Sequence, residues 1–182
     1  MRIIAGEARG RPLVAPIGTE TRPTRDMVRE ALFDILAGYV EGARILDGFA
    51  GSGALALEAL SRGALHATLI ENAPKALAAI RRNIRELRMS DRTLVLPMDF
   101  ERAARKLQGE RARFDIMLLD PPYRMEPGKQ ADMLAELCAP GAMIALEHAR
   151  AVSPIVSPPL VLVKSRAYGD TALSFYIREE SA

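Results

Sequence analysis

Ile45-Leu46-Asp47-Gly48-Phe49-Ala50-Gly51-Ser52-Gly53-Ala54-Leu55-Ala56 is the stretch that decides the fold of this chain. An apolar run ends on an acid, three glycines follow within six residues, and a run of alanine and leucine begins. That order predicts a strand, a tight turn and a helix. Ligands of open α/β sheets bind at the carboxyl ends of strands, where a turn of this kind lets backbone approach closely. Glycine supplies both the unusual dihedrals and the missing side chain.

Outward from the turn, strands and helices alternate. A strand over Ala43–Leu46 ends at Asp47 and a helix begins over Ala54–Leu60. A strand over Ala67–Ile70 ends at Glu71, and residues 74–88 form a helix with Leu77, Ile80, Ile84 and Leu87 on one face. Thr93–Leu96 reads as a strand, 101–108 as a helix, and Phe114–Leu119 as a strand running into Asp120. Residues 129–138 read as a helix, and Ala142–Leu146 as a strand ending at Glu147. Several strands are continuous apolar runs, the mark of strands covered on both faces. The alternation predicts an α/β fold with a parallel sheet and helices on both faces. Near the end, Leu160–Val163 and Ala172–Ile177 flank Tyr168-Gly169-Asp170 with no helical stretch between them, so the last strand is expected to run antiparallel.

Upstream, Arg2–Ala5 and Pro12–Ala15 flank Gly6 and Gly10 and read as a β-hairpin. A Gly/Thr/Pro-rich loop leads to Arg22-Pro23, and Thr24 stands where a helix N-cap belongs. Val28, Ala31, Leu32, Ile35 and Leu36 then recur at helical spacing. The expected organisation is a basic hairpin extension over 1–24 and one domain over 25–182.

Composition bounds the function. The chain has 182 residues, 49% hydrophobic and 26% charged, which suits one globular domain. Cys138 is the one cysteine, so no internal disulfide forms, and a cytoplasmic, reducing compartment is expected. Neither a signal peptide nor a run of ~18 apolar residues occurs, so no membrane partner is expected. His66 and His148 stand apart from each other and from Cys138, so no metal is expected. The net charge of +2 is concentrated: the first thirty residues hold six arginines (Arg2, Arg9, Arg11, Arg22, Arg25, Arg29) against four acids. Such a segment suits a polyanion, though an ordinary solvated surface reads the same way. The same holds for Arg81, Arg85, Arg88 and Arg92, which fit a solvated helix face.

The glycine turn fits two adenosine cofactors. Gly51-Ser52-Gly53-Ala54-Leu55-Ala56 matches the dinucleotide pattern G-x-G-x-x-A, with Glu71 at the distance of a ribose-binding acid. Asp47 favours S-adenosylmethionine, because a carboxylate beside the turn repels a pyrophosphate and suits ammonium and sulfonium charge. The candidate cofactor residues are Asp47, Gly48, Phe49, Ala50, Gly51, Gly53, Glu71 with Asn72, and the pair Asp99-Phe100, which offers an acceptor for an adenine amine and a ring beside the base. As a plain helix cap and core residue, Asp99 and Phe100 read equally well.

Asp120-Pro121-Pro122-Tyr123 ends the fourth strand at the same edge of the sheet. Two prolines fix the backbone and leave carbonyls without competing N–H groups. An exocyclic amine on a base is planar and weakly nucleophilic. A carboxylate and a carbonyl that accept its two N–H groups hold the nitrogen in line with a methyl donor and stabilise the charge developing on it. Tyr123 offers a face for stacking the base, which must leave its stack to enter such a pocket.

The order of the Asp47–Gly53 turn, Glu71, Asp99 and Asp120–Tyr123 resembles Rossmann-like S-adenosylmethionine methyltransferases. Arg22-Pro23-Thr24 running into Val28-Arg29-Glu30-Ala31-Leu32-Phe33, the Ala54–Ala64 stretch, Tyr168-Gly169-Asp170-Thr171 and the leading Arg2–Gly10 resemble the RsmD family of small-subunit ribosomal RNA guanine-N2 methyltransferases. The resemblance implies a seven-stranded sheet with one antiparallel strand, and methyl transfer to guanine N2 of 16S rRNA in an assembling small subunit; a monomer is expected. It makes Arg22, Thr24, Arg25 and Arg29 candidates for RNA contact. Gly48 stands where a larger apolar residue is expected, and Met27 where an arginine is.

Other readings remain. A DNA adenine amine would use the same Asp-Pro-Pro-Tyr, although the chain offers no separate DNA-recognition domain. A nicotinamide-dependent oxidoreductase explains the glycines but leaves Asp120–Tyr123 without a task. A non-catalytic RNA-binding assembly factor explains only the arginines.

Overall fold

The computed structural model describes residues 1–16, 23–122 and 125–179, with the backbone alone at 23–25 and 127. Its helices are α1 (Pro23–Leu36), α2 (Ala54–Ser61), α3 (Pro74–Leu87), α4 (Phe100–Gly109) and α5 (Pro127–Leu134). Its strands are β1 (Arg44–Asp47), β2 (His66–Glu71), β3 (Thr93–Pro97), β4 (Phe114–Leu119), β5 (Cys138–Ala149), β6 (Leu160–Tyr168) and β7 (Thr171–Arg178). Among the described residues they form one seven-stranded sheet in the order β3-β2-β1-β4-β5-β7-β6. β1 to β5 pair in parallel, and β7 runs antiparallel to both β5 and β6. The expected α/β class and antiparallel last strand are borne out. Strand order reverses between β1 and β4, the switch point at which open sheets hold ligands.

Successive strand residues point to opposite faces, and the two cores follow that alternation. Ile45, Leu69, Ile116, Leu118 and Ala145 pack with α1, α2 and α3 on one face. Leu46, Ile70, Met117, Leu119 and Leu146 pack with α4 and α5 on the other. The continuous apolar runs exist because both faces are covered.

Three boundaries differ from the sequence reading. α1 begins at Pro23, so Thr24 lies within its first turn rather than at the N-cap; proline suits the first helical position because its missing N–H would be unpaired there anyway. α5 starts at Pro127 and gives way to a 3-10 turn, Ala135–Leu137, so Cys138 opens β5 rather than closing a helix. β5 is longer than expected because Phe114 pairs with Cys138 before the register shifts, and Ala139-Pro140-Gly141 carries no apolar signal of a strand.

The leading segment makes one antiparallel bridge, Arg2 with Pro12, closed by Ile3 N–H on Arg11 O (3.0 Å) and Gly10 N–H on Ile3 O (2.9 Å). Ile3 and Leu13 enter the core of the α1–α3 face. Polar side chains seat the segment on the helices. Glu58, 0% exposed on α2, accepts from Ile4 N–H (2.7 Å), Ala5 N–H (2.9 Å) and Arg62 Nε (2.8 Å). The Ser61 hydroxyl accepts from Ala8 N–H (2.9 Å) and donates to Ala5 O (2.6 Å). Asn83 on α3, also 0% exposed, accepts from Val14 N–H (2.8 Å). Its Nδ2 donates to Val14 O and to Ser52 O, both at 2.9 Å, which ties the segment to the glycine turn.

Candidate active site

The glycine turn crosses the switch point and is stitched to the strands on either side. Gly48 N–H donates to Leu118 O of β4 (2.9 Å), Ala50 N–H to Ile70 O of β2 (3.0 Å), and Gly51 N–H to the Glu71 carboxylate (2.9 Å). Gly51 and Gly53 adopt φ of 55° and 79°, which side-chain-bearing residues rarely take. Gly48 is needed for room instead: a Cβ there would lie 2.5 Å from Leu119 Cδ2 and 3.0 Å from a Phe100 ring carbon. A larger residue at this position would require both side chains to shift.

Two cavities flank the turn, and Phe49 and Asp120 line both. The first lies over β2 and β3 and is lined by Gly48, Phe49, Glu71, Asn72, Asp99, Phe100, Asp120 and Pro122. Glu71 Oε1 accepts from Asn72 and Ala73 N–H, both at 2.8 Å, and Oε2 from Gly51 N–H at 2.9 Å, which leaves acceptor capacity on Oε2 for a ribose hydroxyl. Asp99 is the N-cap of α4, its Oδ1 accepting from Arg102 N–H (2.9 Å), and its second oxygen can still take an amine. Phe100 stacks on Phe49 with centroids 4.8 Å apart and planes 13° from parallel. Carboxylates for the ribose and adenine amine, beside an apolar aromatic wall, fit an adenosine. Sequence reasoning missed Met98 and Met125 on this wall, because neither sits in a recognisable motif.

Asp47 lies behind the turn rather than on a cavity wall. It is 1% exposed, and its Oδ2 accepts from Ala56 N–H of α2 (3.2 Å), while Oδ1 has no hydrogen-bond partner among the described residues. Burial pushes its carboxyl up to about 7, with the neighbouring charges of Asp120 and Glu71 adding to the shift against backbone hydrogen bonds. An orphaned, reluctantly ionised acceptor beneath the turn suits a cationic group held above it.

The second cavity opens on the α1 side. Its walls include Ala15 and Pro16 of the leading segment, Leu32 and Arg29 of α1, Ser52 and Leu55 beside the turn, and Asp120 and Glu147. Arg29, expected among the RNA contacts, is only 5% exposed. Its Nη2 donates to Arg2 O (2.7 Å) and Asp26 Oδ1 (3.2 Å), and Nε has no partner among the described residues. Burial pulls the guanidinium below its ordinary value, against the opposing charges of Asp26 and Glu58. Arg29 is thus part of the cavity wall and not of an exposed phosphate-binding surface.

Of the reactive tetrapeptide, Asp120 and Pro122 reach the cavities and Pro121 is buried beneath them. Ala50 and Gly51 line the second cavity, and Gly53 shapes the turn from behind. Tyr123 and Arg22 lie outside the described residues, as do the side chains of Thr24 and Arg25. Glu147, Arg29 and Ala15-Pro16 were not read as parts of one pocket. Glu147 carried a signal in ending an apolar strand as Asp120 does; the other two are brought in by contacts far apart in sequence.

A family profile described as "Conserved hypothetical protein 95" matches residues 1–177. The chain belongs to that family. Ribosomal RNA small subunit methyltransferase D of Haemophilus influenzae is 34% identical over 182 residues, covering 97% of this chain and 93% of the relative. The resemblance to the RsmD family read from the sequence is borne out. The hypothetical protein TTHA0928 of Thermus thermophilus is similar in structure, with a TM-score of 0.82 and 32% identity over 96% of this chain and 98% of that one. SMU.776, solved complexed with SAH, shares the fold at a TM-score of 0.66 and 15% identity, over 86% of this chain and 50% of that one.

Proposed function

We propose that this RsmD-family chain transfers a methyl group from S-adenosylmethionine to the exocyclic N2 amine of a guanine in 16S ribosomal RNA of the small subunit. The observation that carries the proposal is the position of Asp120, whose carboxylate stands on the wall shared by two cavities. One cavity has the acceptors for an adenosine, and the other opens toward the leading segment.

In this reading Glu71 holds the ribose hydroxyls, Asp99 the adenine amine, and the Phe49–Phe100 stack borders the adenine ring. Asn72 flanks them, and Gly48, Ala50, Gly51 and Gly53 let the backbone approach. Asp47 opposes the cationic amino-acid end from beneath the turn. Bound there, S-adenosylmethionine supplies an electrophilic methyl on sulfur. Asp120 and the Pro121 or Pro122 carbonyl accept the two N–H groups of the amine and aim its nitrogen across the shared wall, with Tyr123 stacking on the base. The acceptor enters from a loop or after leaving its stack. Arg22, Thr24 and Arg25 contact RNA phosphates, Arg29 frames the pocket from within, and the substrate is a small subunit still in assembly. The nicotinamide reading leaves the placement of Asp120 unexplained.

The test is mass mapping of N2-methylguanine in 16S rRNA from a strain lacking the gene. One modification is expected to disappear, to return with the wild-type gene, and to stay absent with Asp120→Ala, whose turnover falls by at least roughly 10²-fold. Asp120→Ala is expected to keep its affinity for S-adenosylhomocysteine in calorimetry. Restoration of the modification by Asp120→Ala overturns the role assigned to that residue.

A further inference from the structure

Glu147 lies on β5 two residues before its end, Asp120 directly follows β4, and the two strands are parallel neighbours. Leu119 pairs with Leu146, so the next residues of each strand, Asp120 and Glu147, stand side by side at the carboxyl edge of the sheet, where adjacent strands are about 4.8 Å apart. Leu119 and Leu146 both face α4 and α5. By the pleat, Asp120 and Glu147 therefore turn to the α1 face, and both line the second cavity. The remaining walls are apolar (Leu32, Leu55, Phe49) except at Asp26, which is paired with Arg29, and where Arg29 and Ser52 bring N–H and O–H donors. The Arg29 guanidinium is buried in this wall, and its Nε–H has no partner among the described residues.

That pattern is the complement of one base edge. Guanine presents two neighbouring donors, N2–H and N1–H, followed by the O6 acceptor. Adenine presents an acceptor at N1 and has no amine at position 2. If Asp120 takes the N2 amine, the adjacent carboxylate is placed for N1–H, and the donors of Arg29 and Ser52 for O6. We infer that Glu147 is the specificity-determining residue of this site, reading guanine through its N1–H while Asp120 holds the amine to be methylated. The inference rests on the guanine-N2 activity proposed above. A base with a lone pair at N1 meets the Glu147 carboxylate acceptor to acceptor and is rejected, because a polar group built for one partner is costly to leave unpaired.

2-Aminopurine keeps the exocyclic amine at position 2, replaces N1–H by a lone pair and lacks O6; the loss of O6 is common to both proteins compared, so the change in preference between them isolates the N1 contact. The experiment uses small subunits reconstituted with 16S rRNA carrying either guanine or 2-aminopurine at the mapped acceptor, and compares the full chain with Glu147→Gln. Glutamine keeps the shape and adds an N–H that can donate to N1. The wild type is expected to prefer guanine, and Glu147→Gln to lower the guanine-to-2-aminopurine ratio of kcat/KM by at least about tenfold. Unchanged S-adenosylhomocysteine affinity in Glu147→Gln shows that the fold is intact. An unchanged ratio in a folded Glu147→Gln protein that still makes N2-methylguanine overturns the assignment of Glu147 and leaves the proposed activity standing. A wild type that makes no N2-methylguanine overturns the activity itself, and this inference with it.

Discussion

Asp47 titrates near neutrality because it is sealed under the glycine turn with two other carboxylates close by. The folded state holds its proton more tightly than the unfolded chain does, from the ordinary value of 3.8 up to about 7. Between those values the native protein carries a proton that the unfolded chain has released. This group's contribution to stability therefore falls as pH rises through the window and levels off above it. Asp47→Asn removes the titration while keeping the shape. Its stability advantage over the parent is expected to widen by up to about 1.4 kcal/mol per pH unit between roughly pH 4 and 7, then stay level, in urea unfolding followed at several pH values. Binding of S-adenosylhomocysteine, which carries an ammonium, is expected to tighten with rising pH through the same window in the parent and not in Asp47→Asn. Parallel stability curves for the two proteins would refute the raised value. The acid itself was legible as the end of a strand. Its burial was not, because whether a strand-end carboxylate faces a cavity or the root of a helix depends on how α2 sits.

Among elements, the seat of the leading segment on α2 separates two glycines that look alike in sequence. Gly6 and Gly10 both have φ of 81°, but a Cβ on Gly6 would lie 1.7 Å from Ser61 O, whereas one on Gly10 meets nothing within 4 Å. Gly10→Ala is expected to cost only the left-handed strain of about 1–2 kcal/mol. Gly6→Ala adds a backbone clash that breaks the Glu7 N–H bond to Ser61 O and should cost roughly 1–3 kcal/mol more. Thermal unfolding of the two variants side by side checks this, and equal losses would mean that the close approach is unimportant. The strand–helix alternation was readable because each buried strand is apolar on both faces. The apolar pattern predicts β6 over Leu160–Val163, but the strand extends to Tyr168, because it is an edge strand whose second half, Lys164-Ser165-Arg166, is polar and partly or fully exposed. Arg92, which fits a solvated helix face by spacing, pairs with Glu7 of the leading segment; no local pattern signals a partner 85 positions away.

For the whole molecule, the candidate site was legible where chemistry is concentrated in short motifs and hidden where the fold gathers single residues. The turn, Glu71, Asp99 and Asp120 could be named from strand ends alone. The second cavity could not, because its walls come from the leading segment, α1, the turn and β5 at once. The arginine excess of the first thirty residues belongs to this scale, since long-range attraction to a phosphate backbone sums over the surface. Arg22→Ala with Arg25→Ala is expected to weaken RNA binding and to reduce the slope of log affinity against log salt by about 1–2, one for each lost phosphate contact. An unchanged slope would assign those contacts elsewhere.

Asn83 bonds to Val14 on one side and Ser52 on the other, and this sets an order on how the chain is built. Residues 1–16 are synthesised before the partners that hold them, which lie on α2 and α3, dozens of residues later. Until those helices have been synthesised the opening strand pair has no surface to settle on. Residues 1–16 are thus made before every helix that holds them, and the pocket they frame is complete only once Asp120 and Glu147 have followed.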